Sequence, residues 1–185
     1  VAVDDLFTAT EDTAKTFPNT GVGSPAANDT DIDGGTLTVI AVSSPVGGTV
    51  SLVSNTITFT PTANLCGTGA GSFNYIVSDG NGGTDTGLVT LNITCTNDAP
   101  VAVDDEFSAT EDTARTFPDT GAGSPAANDT DIDLDILTVT AVSSPVGGTV
   151  SLASNTITFT PTANLCGASA GRFNYTVSDG HGGTD

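Results

Sequence analysis

Alternating aspartates are the most chemically suggestive feature of this 185-residue chain: Asp29-Thr-Asp-Ile-Asp33 and, 100 residues on, Asp129-Thr-Asp-Ile-Asp133 with Asp135 added. Carboxylates spaced this way in a loop turn several oxygens toward one point, which suits a hard cation taking six to eight oxygen ligands. Glu11-Asp12, repeated at 111–112, is a second acidic group, and the junction Asn97-Asp98-Ala-Pro-Val-Ala-Val-Asp104-Asp105 is a third. A lone Asp-x-Asp is ordinarily turn chemistry, so the argument for a metal rests on these groups converging. Asp29–Gly34 also has the opening spacing of an EF-hand loop. The glutamate required at its twelfth position is missing, however, and no helical pattern flanks it.

The three cysteines carry a different chemistry. Cys66 and Cys95 lie in the first half of the chain, and Cys166 is the second copy of Cys66. A pair per repeat reads as an intradomain disulfide formed in an oxidising compartment; two buried free thiols are the alternative. Zinc needs more cysteines or histidines at close spacing. Asn28, Asn92, Asn128 and Asn174 each open an Asn-x-Thr sequon, an acceptor for glycosylation wherever the machinery exists. The sole histidine, His181, stands where the first half has Asn81, so no catalytic triad can be built in both halves.

The elements that position these groups follow from an internal repeat. Aligned without a gap, residues 1–85 and 101–185 differ at 15 positions and agree at 70. The repeat is the size of a whole small domain, far longer than a solenoid unit, and the expected division is 1–98 and 99–185. Strand patterns dominate. Gly48–Val53 and Thr56–Thr60 alternate around Ser54-Asn55 as a hairpin, and Phe73, Tyr75, Val77 and Val89, Leu91, Ile93 alternate with polar neighbours. Seven strands are expected per unit, at 1–7, 13–17, 36–43, 49–53, 56–60, 72–78 and 87–95. The fold class is therefore all-β: tandem seven-stranded immunoglobulin-like sandwiches, the second lacking its last strand.

In such a sandwich, alternate connections fall at opposite poles. The loop at 63–71 then shares a pole with the end of the last strand, and Cys66 meets Cys95. The bridge closes a loop of about 30 residues, worth about 3–4 kcal/mol on the chain-entropy account. The same geometry sends Glu11, Asp12, Asn97 and Asp98 to one pole of the first unit, and Asp129, Asp131, Asp133 and Asp179 to the facing pole of the second. An interdomain cation site is the expectation there, with Asp29, Asp31, Asp33 and Asp79 as the equivalent set in the first unit.

Composition narrows the partners. With 22 acids against 3 bases the net charge is -19, a surface that repels nucleic acid and anionic membranes and is relieved by multivalent cations. At 37% hydrophobic with clear strand patterns, the chain is not a disordered acidic tail. No stretch has the length of an apolar membrane span.

The segments Phe73–Gly83 and Leu91–Pro100, with Ala27–Asp33 and Gly47–Val50, resemble the cadherin-like (Ig-like) tandem repeats of large bacterial and archaeal surface proteins and adhesins, over essentially all 185 residues. The resemblance implies interdomain calcium held by Glu11, Asn97, Asp98, Asp131, Asp133 and Asp179, with Asp129 as a further candidate. Three departures, the missing leading linker Asp (Cys95-Thr96 stands there), a missing Asn later in the linker and the absent acidic pair at 63–71, imply one or two ions per junction rather than three. The expected role is a calcium-stiffened spacer in an extracellular or cell-surface protein. Its partners would be further copies of the repeat, with any cell-surface or glycan ligand bound elsewhere in the parent protein. The alternatives are a subunit of a self-assembling filament or sheath, with strand donation between neighbouring repeats, and a carbohydrate-binding module. No enzymatic role is expected.

Overall fold

The structure is a computed structural model that describes residues 1–185, and the chain divides into two compact units, Val1–Thr96 and Asn97–Asp185. Unit 1 has seven strands: β1 (Asp5–Thr10), β2 (Lys15–Pro18), β3 (Thr38–Val46), β4 (Gly48–Val53), β5 (Thr56–Pro61), β6 (Gly67–Ser78) and β7 (Thr84–Thr94). One sheet has the order β1-β7-β6-β3 and the other β2-β5-β4. The two faces that meet are apolar because the strands alternate. Phe73, Tyr75 and Val77 of β6, Val89, Leu91 and Ile93 of β7, and Ile57 and Phe59 of β5 are all buried. Phe17 joins them, its ring 4.9 Å from Phe7 and 6.1 Å from Phe73. Ser54 and Asn55 both adopt positive φ (47° and 64°), the twist that lets a two-residue turn close the β4–β5 hairpin.

Every strand departs by a residue or more from its expected bounds, three of them with a structural reason. The first begins at Asp5 and runs to Thr10, because its pairing partner is β7, in parallel, from Asp5↔Val89 to Thr10↔Thr94. The third is shifted to 38–46, with bulges absorbing the extra residues opposite β6. The sixth starts at Gly67 instead of residue 72, so the loop that carries Cys66 is shorter than 63–71. A register shift between Gly67 and Gly71 lets β6 follow β7 to its end.

Cys66 and Cys95 are joined, with Cα atoms 5.0 Å apart. The bond ties the start of β6 to the residue after β7, the place that strand order assigns to it.

Unit 2 has five strands: β8 (Arg115–Pro118), β9 (Thr138–Val146), β10 (Gly148–Ala153), β11 (Thr156–Pro161) and β12 (Arg172–Ser178). The sheet β10-β11-β8 matches its counterpart in unit 1, but the other sheet is reduced to β12-β9. Residues 97–185 include no counterpart of β7, and within them residues 105–110 form no strand, since β1 in unit 1 pairs with β7. Cys166 is a free, exposed thiol. No helix is long and apolar enough to cross a membrane.

Two stability predictions follow from the disulfide and the missing strand. Unit 2 lacks counterparts of Val89, Leu91 and Ile93, each worth about 1.5–3 kcal/mol when buried. Calorimetry of the 185-residue chain in EGTA should therefore resolve two transitions, unit 2 melting first; one cooperative transition in a verified monomer would contradict this. Cys66→Ser should lower only the higher transition, by about 3–4 kcal/mol, while Cys166→Ser should leave both in place.

Candidate metal centre

The acidic loops of each unit are organised by short-range hydrogen bonding before any ion is considered. In unit 1, Asp31 Oδ1 accepts from the Asp33 N–H at 3.0 Å and Oδ2 from the Gly35 N–H at 3.1 Å. Asp79 Oδ1 accepts from the amides of Asn81 and Gly83 at 2.7 and 2.9 Å. Both carboxylates are thus fixed by the backbone of their own turns, and no group of three carboxylates forms among Asp29, Asp31, Asp33 and Asp79.

Unit 2 differs at the decisive position. Asp135 replaces Gly35, and ligand oxygens of Asp131, Asp135 and Asp179 lie within 4.8 Å of one another. The amides of Asp133 and Asp135 both donate to Asp131 Oδ1, at 2.8 and 3.4 Å, and leave Asp131 Oδ2 buried without a hydrogen-bond partner. Asp179 is itself buried at 3% exposure. Its Oδ1 accepts from the amides of His181, Gly182 and Gly183, between 2.7 and 3.0 Å. The first residues of unit 2 close over this group. Asn97 Nδ2 donates to Asp179 Oδ2 at 2.7 Å, and the Asp98 N–H donates to Asp133 Oδ2 at 2.8 Å. The Asn97 side chain, followed by the backbone amides, holds Asp179 below the usual carboxylate range, so it is an anion at neutral pH. An orphaned buried oxygen within a cluster of three carboxylates fits a hard cation.

Asp29 and Asp129 serve a different purpose. Asp29 Oδ1 accepts from the Val3 N–H at 2.8 Å and from the Tyr75 hydroxyl at 2.9 Å, and that hydroxyl lies 3.1 Å from Val3 O. Asp129 makes the same set of bonds to Val103 and Tyr175. These two aspartates pin the incoming chain to the sheet and stand apart from the Asp131 group. Glu11 is buried, and its Oε1 accepts from the Thr96 N–H at 2.6 Å. Asp12, at φ 55°, accepts from the Asn64 N–H at 3.1 Å. Of the sequons, Asn28, Asn128 and Asn174 are exposed, while Asn92 is half-buried and accepts from the Gly69 N–H.

His181 and Asp135 are the residues that sequence reasoning left out of the site. The signal was in the repeat comparison: Gly35 becomes Asp135 and Asn81 becomes His181, and these two differences meet, His181 Nδ1 lying 3.0 Å from Asp135 Oδ2.

Asp5 faces the Asp29 pin, and its carboxyl is pushed up to about 6 by burial and then by the Asp29 charge, with Asp4 adding to it. A raised carboxyl pKa means that folded unit 1 binds more protons than the unfolded chain between pH about 4 and 6. Stability from this group therefore rises as pH falls from 7 to 5. Asp85, held low chiefly by the Ala2 N–H, opposes it only below the ordinary carboxylate range. In EGTA, Asp5→Asn should raise the melting temperature of unit 1 at pH 7 and remove most of its gain on acidification to pH 5. Equal pH profiles for the two proteins would contradict the account.

Comparison with known proteins adds the family. The bacterial Ig domain family matches residues 1–92 and again 97–185. No curated protein matches the chain. Among solved structures, two endo-fucoidan hydrolases of glycoside hydrolase family 107 are similar. One has 19% identity over 98% of this chain and 26% of its own, at a TM-score of 0.33. The other has 17% identity over 96% and 31%, at 0.27. A chimeric titin Z1Z2 carrying a decorin peptide is similar at 11% identity over 98% of this chain and 88% of its own, TM-score 0.28. The chain spans about a quarter to a third of the length of the two hydrolases. Two matches in tandem, on two all-β units built on one strand plan, make this chain a member of the bacterial Ig domain family, a non-catalytic structural domain type.

Proposed function

We propose that the chain is a tandem structural spacer of an extracellular surface protein or adhesin, stiffened by calcium bound at the head of unit 2. The observation that carries this reading is the Asp131–Asp135–Asp179 group, with the buried, unpartnered Asp131 Oδ2 in its midst. Asp131, Asp135 and Asp179 would supply carboxylate oxygens, and Asp133, Asp98 and Asn97 stand at the rim through their hydrogen bonds to the same loops. Calcium accepts such an irregular set of oxygens, whereas magnesium demands a tighter octahedron.

The cation would act in two ways. It would neutralise carboxylates crowded into one loop pair of a chain with net charge -19, and it would fasten the first residues of unit 2, Asn97 and Asp98, to that unit's own loops. Fixing those linker residues reduces the freedom of the connection that precedes them. The family's structural character and the disulfide of unit 1 agree with a load-bearing role in an oxidising compartment.

Binding to the folded state alone adds about 2.7 kcal/mol at a hundredfold excess over Kd, so calcium should raise the unit 2 transition. Small-angle scattering should show a narrower, longer distribution of lengths in calcium than in EGTA. Asp135→Asn should weaken calcium binding tenfold or more, about 1.4 kcal/mol, by titration calorimetry, without lowering the melting temperature in EGTA. A scattering profile and melting temperature indifferent to calcium would sink the proposal.

A further inference from the structure

The turn between β6 and β7 of unit 1 carries a pair of residues that unit 2 lacks. Asn81-Gly82 is the single Asn-Gly pair of the chain, and unit 2 has His181-Gly182 at the matching place. Both residues of the pair are exposed. The turn is closed by Asp79, whose N–H donates to Gly83 O at 3.2 Å and whose Oδ1 accepts from the amides of Asn81 and Gly83 at 2.7 and 2.9 Å. The amide between those two, that of Gly82, donates to nothing, and the Asn81 carboxamide makes no hydrogen bond either. In unit 2 the matching Gly182 N–H is held, donating to Asp179 Oδ1 at 3.0 Å.

We propose that Asn81 is a site of spontaneous covalent modification, converted to aspartate and isoaspartate by attack of the unengaged Gly82 amide on the Asn81 side chain. The proposal stands apart from the calcium reading, since it involves no member of the Asp131–Asp135–Asp179 group. Two features select this residue. Glycine has no Cβ to shield the nitrogen that must attack, whereas every other asparagine is followed by a residue with a side chain, as Asn55 by Thr56, Asn74 by Tyr75 and Asn92 by Ile93. The Gly82 nitrogen also gives up no hydrogen bond when it reacts. Gly182, tied to a carboxylate, would have to surrender one.

The step needs no oxidant and balances with water alone. The Gly82 nitrogen attacks Cγ of Asn81, a cyclic succinimide closes, and the carboxamide nitrogen leaves as ammonia with the amide proton. Water then opens the ring at either carbonyl. Opening at Cγ gives aspartate; opening at the main-chain carbonyl gives isoaspartate, in which the peptide runs through Cγ and is longer by a methylene. Either product adds one negative charge to a chain that already carries -19. The added methylene falls between Asp79 and Gly83. It moves Gly83 out of register with the two hydrogen bonds that it shares with Asp79, and so loosens the turn behind the first β6–β7 pair, Ser78↔Thr84.

The test incubates the 185-residue chain in EGTA at neutral pH over weeks. Isoaspartate is scored with protein L-isoaspartyl methyltransferase and located by peptide mass mapping. Asn81 should convert at least tenfold faster than any other asparagine, with an acidic shift on ion exchange. Gly82→Ala should slow the conversion at least tenfold. In a His181→Asn chain, position 181 should convert more slowly than Asn81, because the Gly182 amide is held by Asp179. Aged chain should lose amide protection at Gly83 and Thr84, whereas a fresh Asn81→Asp chain, with its backbone unaltered, should keep it. Conversion at Asn81 no faster than elsewhere, an unchanged rate in Gly82→Ala, equal rates at 81 and 181, or isoaspartate at 81 with protection intact would each overturn the proposal.

Discussion

Strand β7 of unit 1 is hydrogen-bonded along both edges, antiparallel to β6 and parallel to β1, and the rest of that unit depends on this double pairing. It contributes Val89, Leu91 and Ile93 to the core and sends Cys95 to Cys66. It also brings Thr94 and Thr96 to Glu11, whose own N–H bonds to Thr94 O at 3.1 Å and whose carboxylate takes the Thr96 N–H. In unit 2 the Glu111 and Ala109 counterparts of buried Glu11 and Ala9 are exposed, and Arg115 lies over the Phe107 and Phe117 rings at 5.4 and 4.9 Å, as its counterpart Lys15 lies over Phe17.

The acidic residues divide into two physical classes that composition alone cannot separate. Asp29 and Asp129 spend one oxygen on a tyrosine hydroxyl and a backbone amide, a structural use that drives the Tyr75 and Tyr175 hydroxyls above their ordinary range through burial and the neighbouring carboxylates. Asp131, Asp135 and Asp179 instead gather as three carboxylates with ligand oxygens within 4.8 Å of one another. Crowding of like charges disfavours both arrangements, but the first is relieved by protonation of Asp5 and the second suits a cation.

Much of the architecture was legible because alternation of β-branched and aromatic residues has one solution when both sheets must share a core. The hairpin at Ser54-Asn55, the seven strands of unit 1 and the Cys66–Cys95 bridge all follow from that constraint. The parallel partnership of β1 and β7 was not legible, since Asp5–Thr10 carries no signal for the direction of its neighbour. Gly67–Gly71 read as loop because glycines and a bulge hide a strand whose hydrogen bonds are set by β7. In the acidic loops, spacing identified groups of carboxylates but not their division. The tyrosine that claims Asp29 lies 46 residues away in sequence, and the Asp135–His181 contact was visible only as two coincident differences between the units.

The parallel alignment of β1 and β7 also determines how unit 1 would carry tension. A pull on its two ends draws β1 toward its start and β7 toward its finish, so the adjacent strands are loaded in opposite senses along their common axis. The pairs from Asp5↔Val89 to Thr10↔Thr94 then bear the load together, in shear, instead of opening one after another as in a zipper. Below them, the Cys66–Cys95 bond anchors the end of β7 to the start of β6, so that extension past the first rupture must stop at a covalent crosslink. The strand order that completes the core thus also makes its terminal pair a mechanical clamp.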